Sequence, residues 1–167
     1  MTKTDSSVSI IILQYNGATE TIRCLESVKG LNYPDFFVVL VDNHSRPDEL
    51  NNTENYIKSQ SGKQNIELIK NPTNLGYSGG NNIGIRRALA AGADYVLMLN
   101  PDTTVEPELL TKLVEAGESS EKIGLIAPAI AEGDKLTYGD QIKWLQPELS
   151  HLTTSQVVSD YLTGACL

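Results

Sequence analysis

Asp42 and Asp102 are carboxylates in the polar segments that follow apolar runs, in Val41-Asp42-Asn43-His44-Ser45 and Leu99-Asn100-Pro101-Asp102. A carboxylate delivered into a polar loop can accept N–H groups or hold a hard cation, which takes oxygen ligands. Between them runs Asn74-Leu75-Gly76-Tyr77-Ser78-Gly79-Gly80-Asn81-Asn82-Ile83-Gly84. Its glycines remove side chains where a ligand or another backbone comes close. Gln14-Tyr15-Asn16-Gly17 follows the first apolar run as a further polar turn. In open parallel sheets ligands bind outside the carboxyl ends of the strands. The stretch from Asn74 to Asp102 is therefore expected to hold a nucleotide diphosphate and its metal.

Plainer roles stand beside these. Asp42 and Asp102 also suit turns, and Gly79-Gly80 suits close helix–sheet packing. Asn81 and Asn82 suit helix capping, and Arg86 and Arg87 a solvated face or a local ion pair. Lone His44 suits a polar loop. Tyr138 and Trp144 suit a satellite core under a loop, or an acceptor pocket.

The elements that must position these residues are legible as alternating patterns. Val8 to Leu13, Phe36 to Val41 and Tyr95 to Leu99 read as buried strands, and Ile66 to Ile69 as a short strand, third in chain order. Ile22, Leu25 and Val28 share one helix face, with Asn16 as its cap, and Gly30 to Pro34 ends that helix. Pro47 to Gln60 carries a weaker helical pattern, and Pro107 fits the first turn of a helix whose apolar face is Leu109, Leu110, Leu113 and Val114. Ile123 to Ile130 reads as another strand, residues 131 to 155 as hairpin or loop, and Val157 to Leu162 as a last strand. Strand–helix alternation predicts an α/β domain with a mostly parallel sheet and helices on both faces.

Length and composition bound the rest. At 167 residues, 40% hydrophobic and 20% charged, the chain suits one domain, 1–167, with a sizeable core. A net charge of −8 argues against a nucleic-acid partner, which needs clustered Lys and Arg. No run of about eighteen apolar residues exists to span a membrane, and no basic segment leads into a cleavable apolar stretch. Cys24 and Cys166 are expected as buried, reduced thiols, which suits the cytoplasm. The sequence stops inside an apolar run, Tyr161 to Leu167, so it is expected to continue as the N-terminal part of a longer protein.

Spacing excludes two familiar nucleotide folds. The first strand is not followed by G-x-G-x-x-G, and no Gly-Lys-Ser/Thr occurs. Instead, Tyr15-Asn16, Val41-Asp42-Asn43-His44-Ser45, the Asn74 to Gly84 glycine motif and Leu99-Asn100-Pro101-Asp102 together resemble the family 2 glycosyltransferases. The resemblance covers nearly the whole chain and is closest to their rhamnosyltransferase-like branch. It implies the GT-A (Rossmann-like) fold, C-terminally truncated here. It also implies transfer of a sugar, with inversion and metal assistance, from a UDP- or dTDP-linked donor to a saccharide or lipid-linked acceptor in cell-envelope polysaccharide synthesis.

On that resemblance Asp42 is the base- and ribose-binding carboxylate, in a pocket shared with Gln14, Tyr15, Asn16 and Asn43. Gly76, Gly79, Gly80 and Asn81 form the wall against the nucleotide, joined by Asn100. Asp102 is the last aspartate of the D-x-D motif and holds Mg²⁺ or Mn²⁺, with Asn100 where many members carry the first. The general base lies past a Thr-Gly-Ala-like segment, which Asp160 to Cys166 resembles, and is expected beyond Leu167. A chain ending there is expected to bind nucleotide but to transfer sugar poorly. The parent is expected in the cytoplasm, with peripheral association at the inner face of the cell membrane. A non-catalytic nucleotide-sugar-binding module and a sugar nucleotidyltransferase remain as alternatives, the latter lacking an Arg-bearing glycine loop after the first strand.

Overall fold

The computed structural model describes residues 6–60, 65–132, 135–137, 140–142 and 149–151. Four strands form one parallel sheet: β1 (Val8–Gln14), β2 (Phe36–Asp42), β3 (Ile66–Lys70) and β4 (Tyr95–Leu99), in the order β3-β2-β1-β4. Ile12 stands between Leu40 and Leu99, and Gln14 is level with Asp42. Helices α1 (Ala18–Val28), α2 (Pro47–Ser59), α3 (Gly76–Ala90) and α4 (Leu109–Glu118) connect or follow the strands.

The nearly continuous apolar runs of β1 and β2 follow from helices on both faces. Successive side chains of a strand point to opposite sides. Ile10, Ile12, Val38 and Leu40 thus enter one core with Cys24, Leu25 and Val28 of α1 and Leu110 and Val114 of α4, against which Tyr56 and Ile57 of α2 pack. Ile11, Val39 and Val41 enter a second, smaller core with Ala88 and Ile85 of α3. Here α3 lies tight on the sheet. A Cβ added to Gly84 would fall 2.4 Å from Ile11 Cγ2, and one added to Gly80 would fall 2.4 Å from Leu13 Cδ1. Only glycine lets this helix approach so closely.

The helix starts differ from expectation in two places. The residue that caps α1 is Gly17, at φ +62°, without a side-chain cap. Asn16, itself left-handed at φ +58°, accepts instead from the Arg46 N–H through Oδ1 at 2.9 Å. The first N–H of α1 is satisfied from α2, since Ala18 N donates to Glu49 Oε2 at 2.8 Å. Pro107 lies in a turn just ahead of α4 rather than in its first turn, and its carbonyl accepts from Asn32 N at 2.7 Å. By contrast, Pro47 does open α2, with Asp48 and Glu49 in the favourable first turn.

The run from Ile123 to Ile130 is not a strand. Only Ile130 enters one, β5 (Ile130–Glu132), which pairs antiparallel with β6 (Lys135–Thr137). Gly124 and Pro128 interrupt the run, a proline cannot donate to a ladder, and Leu125 is 65% exposed. A second antiparallel pair joins β7 (Asp140–Ile142) and β8 (Leu149–His151), so residues 131 to 155 do contain hairpin-type pairing. Tyr138, Trp144, Cys166, the expected strand Val157 to Leu162 and the Asp160 to Cys166 segment lie outside the described residues. Cys24 is buried as a reduced thiol, and Arg87 forms an ion pair with Glu67 of β3 at 2.7 Å. Among the described residues no helix is long and apolar enough to cross a membrane.

Candidate functional site

The strand order reverses between β1 and β4: the chain builds outward from β1 through β2 to β3, then returns to the far side of β1. At such a reversal the loops after the two strands diverge and leave a crevice at their carboxyl ends. A cleft of about 550 Å³ opens there. Tyr15, Asn16 and Gly17 line it from the loop after β1, Gly76 and Tyr77 from the start of α3, and Asn100, Pro101 and Asp102 from the loop after β4. Leu13, Glu20, Asn43 and Asn74 complete the wall. Tyr15 and Tyr77 are each more than half exposed, which leaves two aromatic faces at the mouth.

Of the residues expected from sequence, Tyr15, Asn16, Asn43, Gly76, Asn100 and Asp102 thus meet at one cleft. Gln14, Asp42, Gly79, Gly80 and Asn81 are not among its lining. Gln14 and Asp42 lie beneath it, 0% and 1% exposed. Gln14 Nε2 donates to Asp42 Oδ1 at 3.3 Å, and Thr53 of α2 donates its hydroxyl to Gln14 Oε1 at 2.8 Å. Ser45 N donates to the other oxygen, Asp42 Oδ2, at 3.2 Å. A buried carboxylate is tolerable when its lone pairs are met in this way. Gly80 packs on Leu13, and an added Cβ on Gly79 would meet Leu75 Cβ at 2.9 Å. Asn81 sits inside α3 and donates back to the Tyr77 carbonyl at 3.1 Å, so it does not cap the helix.

Asn43 works as a clamp. Its Nδ2 donates to Asn74 Oδ1 at 2.9 Å and to the Gly76 carbonyl at 3.2 Å, while its Oδ1 accepts from Leu75 N at 3.0 Å and Asn71 Nδ2 at 3.1 Å. The whole carboxamide is spent on fixing the loop that leads into α3. Asn16 N donates to Ser45 Oγ at 2.7 Å, which ties the loop after β1 to the loop after β2.

The Asn100 to Asp102 turn is held from three sides. The Asn100 carbonyl accepts from Thr103 N at 3.1 Å and from the Cys24 thiol at 3.7 Å. Val105 N donates to Ser27 Oγ at 3.1 Å, so α1 grips the loop twice. Tyr77 donates its hydroxyl to Asn100 Oδ1 at 3.4 Å. Asp102 itself is exposed, open to a ligand. A second cleft, of about 480 Å³, shares Asn100 and Asp102 and continues over Thr103, Thr104 and Glu106 to Pro128.

None of the described residues lining the first cleft is Lys or Arg, while Glu20 and Asp102 are acidic. Among the described residues no group of three His, Cys, Asp or Glu side chains could hold a metal ion. The donor set fits a hard cation only in company: one loop carboxylate, with phosphate and water oxygens filling the remaining positions, as magnesium sites commonly do. Thr53 and Glu20 escaped the sequence reading, and Ser45 and Asn74 entered it only as members of their motifs. Thr53 carries one local signal, a hydroxyl one helical turn beyond Glu49 in a helix whose other positions are largely polar.

Comparison with known proteins agrees with this geometry. The family model described as Glycosyl transferase family 2 matches residues 9–162. The low-salt glycan biosynthesis hexosyltransferase Agl10 of Haloferax volcanii is 31% identical over 124 residues, 74% of this chain and 36% of that protein. An uncharacterised glycosyltransferase of Haemophilus influenzae is 29% identical over 119 residues, 71% of this chain and 37% of that one. The chain spans between 36% and 45% of the length of the curated relatives it matches. Among solved structures, the mannosyltransferase PcManGT from Pyrobaculum calidifontis, in complex with GDP-Man and Mn²⁺, superposes with a TM-score of 0.61 at 18% identity, over 74% of this chain and 36% of that one. S. aureus TarS 1-349 in complex with UDP-GlcNAc gives 0.59 at 20% identity, over 75% and 38%. These structures share the mostly parallel GT-A type of sheet. With the family match running from β1 past the Asn100 to Asp102 turn, the chain belongs to glycosyl transferase family 2.

Proposed function

We propose that this chain is the donor-binding part of an inverting glycosyltransferase, and that its cleft takes the nucleoside diphosphate of a UDP- or dTDP-linked sugar. The observation that carries the reading is the convergence of Tyr15-Asn16, Gly76-Tyr77 and Asn100-Asp102 at the one strand-order reversal of the sheet. A nucleoside diphosphate needs an aromatic or amide-lined recess for its base and donors or a cation for its phosphates. The cleft offers the first through Tyr15, Asn16 and Tyr77, and among the described residues it has no basic side chain for the second. Asp102 would therefore hold Mg²⁺ or Mn²⁺ against the diphosphate, where the ion supplies Lewis-acid neutralisation of the leaving group's charge. The donor-bound state of PcManGT and TarS supports a nucleotide-sugar ligand here.

In the transfer, the bond from the sugar's anomeric carbon to the phosphate oxygen breaks as one to the acceptor hydroxyl forms. The acceptor proton goes to a general base, which we place in the protein after Leu167. The residues of this chain bind and orient the leaving half. A saccharide or lipid-linked acceptor approaches over the second cleft, beyond the shared Asn100 and Asp102. The Asn100-Pro101-Asp102 form of the metal motif supports the rhamnosyltransferase-like branch. Titration calorimetry with UDP and dTDP, with and without Mn²⁺, tests the reading: micromolar to millimolar binding strengthened by Mn²⁺ is expected, and silence with both nucleotides would sink it.

A further inference from the structure

We propose that Asn100 serves the cleft as a hydrogen-bond donor to phosphate, and that Tyr77 is the positioning residue that turns it to do so. The proposal rests on the reading of the cleft as a nucleoside-diphosphate site. A carboxamide has one oxygen that accepts and one NH₂ that donates. Tyr77, at the start of α3, donates its hydroxyl to Asn100 Oδ1 at 3.4 Å. The backbone carbonyl of the same residue is held by Thr103 N and the Cys24 thiol. Two anchors therefore fix Asn100 at both its main chain and its carboxamide oxygen. The NH₂ end remains for a ligand, on a residue that lines the cleft.

Charge makes that orientation useful. With Glu20 and Asp102 acidic and no Lys or Arg among the described lining residues, amide N–H groups are what the wall offers an anionic oxygen directly. An aspartate in place of Asn100 would present a second carboxylate, helping a cation and repelling a bare diphosphate. The division of labour is then one residue each: Asp102 for the ion, Asn100 for phosphate oxygen, with Tyr77 choosing which end of Asn100 faces out. Tyr77 is 52% exposed, so its hydroxyl can be removed without opening the core.

The test is calorimetry of UDP with the full chain, in EDTA and in Mn²⁺, on Tyr77→Phe, Asn100→Ala, Asn100→Asp and the Tyr77→Phe/Asn100→Ala pair. Phenylalanine keeps the ring, so any stacking survives. Tyr77→Phe and Asn100→Ala are expected to weaken UDP binding by roughly three- to tenfold in EDTA. The double variant should lose no more than Asn100→Ala alone, because Tyr77 acts through Asn100. The strengthening by Mn²⁺ should persist in Tyr77→Phe and grow in Asn100→Asp, whose binding in EDTA falls furthest. Wild-type affinity in Tyr77→Phe, additive losses in the pair, or a loss confined to the Mn²⁺ condition would each overturn the proposal while leaving the nucleotide site standing. A wild-type chain that melts cooperatively yet binds neither UDP nor dTDP would overturn the site itself. Should Asn100→Ala fail to fold, Tyr77→Phe and Asn100→Asp decide the matter by the same two-condition comparison.

Discussion

Thr53 and Gln14 meet across 39 positions of sequence, hydroxyl to carboxamide oxygen at 2.8 Å, and both are fully buried. Through this contact α2 sets the amide that in turn donates to Asp42. Thr53→Val keeps the shape and removes the donor, which leaves a buried oxygen unmet. The expected cost is about 1–3 kcal/mol of stability, read by urea unfolding. If Asp42 serves a nucleotide base, UDP affinity falls in the same variant under conditions where it remains folded. An unchanged midpoint would show that Gln14 finds another partner.

Gly84 and Gly80 separate packing from ligand contact. Gly84→Ala drives a methyl into Ile11, which has no exposed surface to retreat to, and should cost about 1–3 kcal/mol in unfolding experiments. Gly80→Ala meets the end of the Leu13 side chain, which lines the cleft. There the strain can be relieved by moving Leu13, so nucleotide affinity should fall more than stability. Equal stability losses in the two variants would contradict this division.

Asp102→Ala should leave the fold intact, since the side chain is exposed and its turn is held through Asn100, Val105 and the backbone. The dependence of UDP binding on Mn²⁺ should vanish. Calorimetry with and without EDTA checks it, and a retained Mn²⁺ effect would place the ion elsewhere.

Ser27→Ala removes the Val105 N–H partner that ties the loop after β4 to α1. Stability should drop by about 1 kcal/mol. UDP binding in Mn²⁺ should weaken as the loop loses one of its two ties to α1. Amide hydrogen exchange at Val105 is the direct readout and should speed up in the variant.

Glu54 gives the chain an acid-sensitive tie between α2 and β3. Hydrogen bonds from Lys70 and then Lys58 hold its carboxyl below the ordinary value of 4.5. Its folded pKa is lower than its unfolded one, so the tie contributes fully above pH 4.5 and is lost as pH falls through the folded value. The Tm difference between wild type and Glu54→Gln should be present at pH 7 and shrink on acidification below that range.

The sheet was legible because its strands are short, largely apolar runs ended by polar turns, and burial on both faces keeps β1 and β2 the most apolar of them. The cleft was legible for the same reason, since Tyr15-Asn16 and Asn100-Asp102 come directly after β1 and β4. Depth was not legible. Gln14 and Asp42 look like loop-facing residues in sequence, but Thr53, the partner of Gln14, arrives from a helix whose composition suggests a solvated surface. Asn16 looks like a cap because capping residues are local signals, whereas its true partner, Arg46 N, comes from another loop. Ile123 to Ile130 has the hydrophobicity of a strand, and Gly124 and Pro128 outweigh it.

The order β3-β2-β1-β4 also dictates when the molecule can close. Val8 pairs with Phe36 on one side and with Tyr95 on the other. Of the four strands of this sheet, the earliest in sequence is therefore an inner one, and one side of its ladder waits for residues 95–99 to be synthesised. Until then the β1 edge that will receive β4 stays open, next to side chains destined for both cores. Pairings this distant in sequence close slowly and leave unpaired edges prone to aggregation. A nascent chain halted before Tyr95 should thus be a chaperone client, and release of β4 should be the event that ends its dependence.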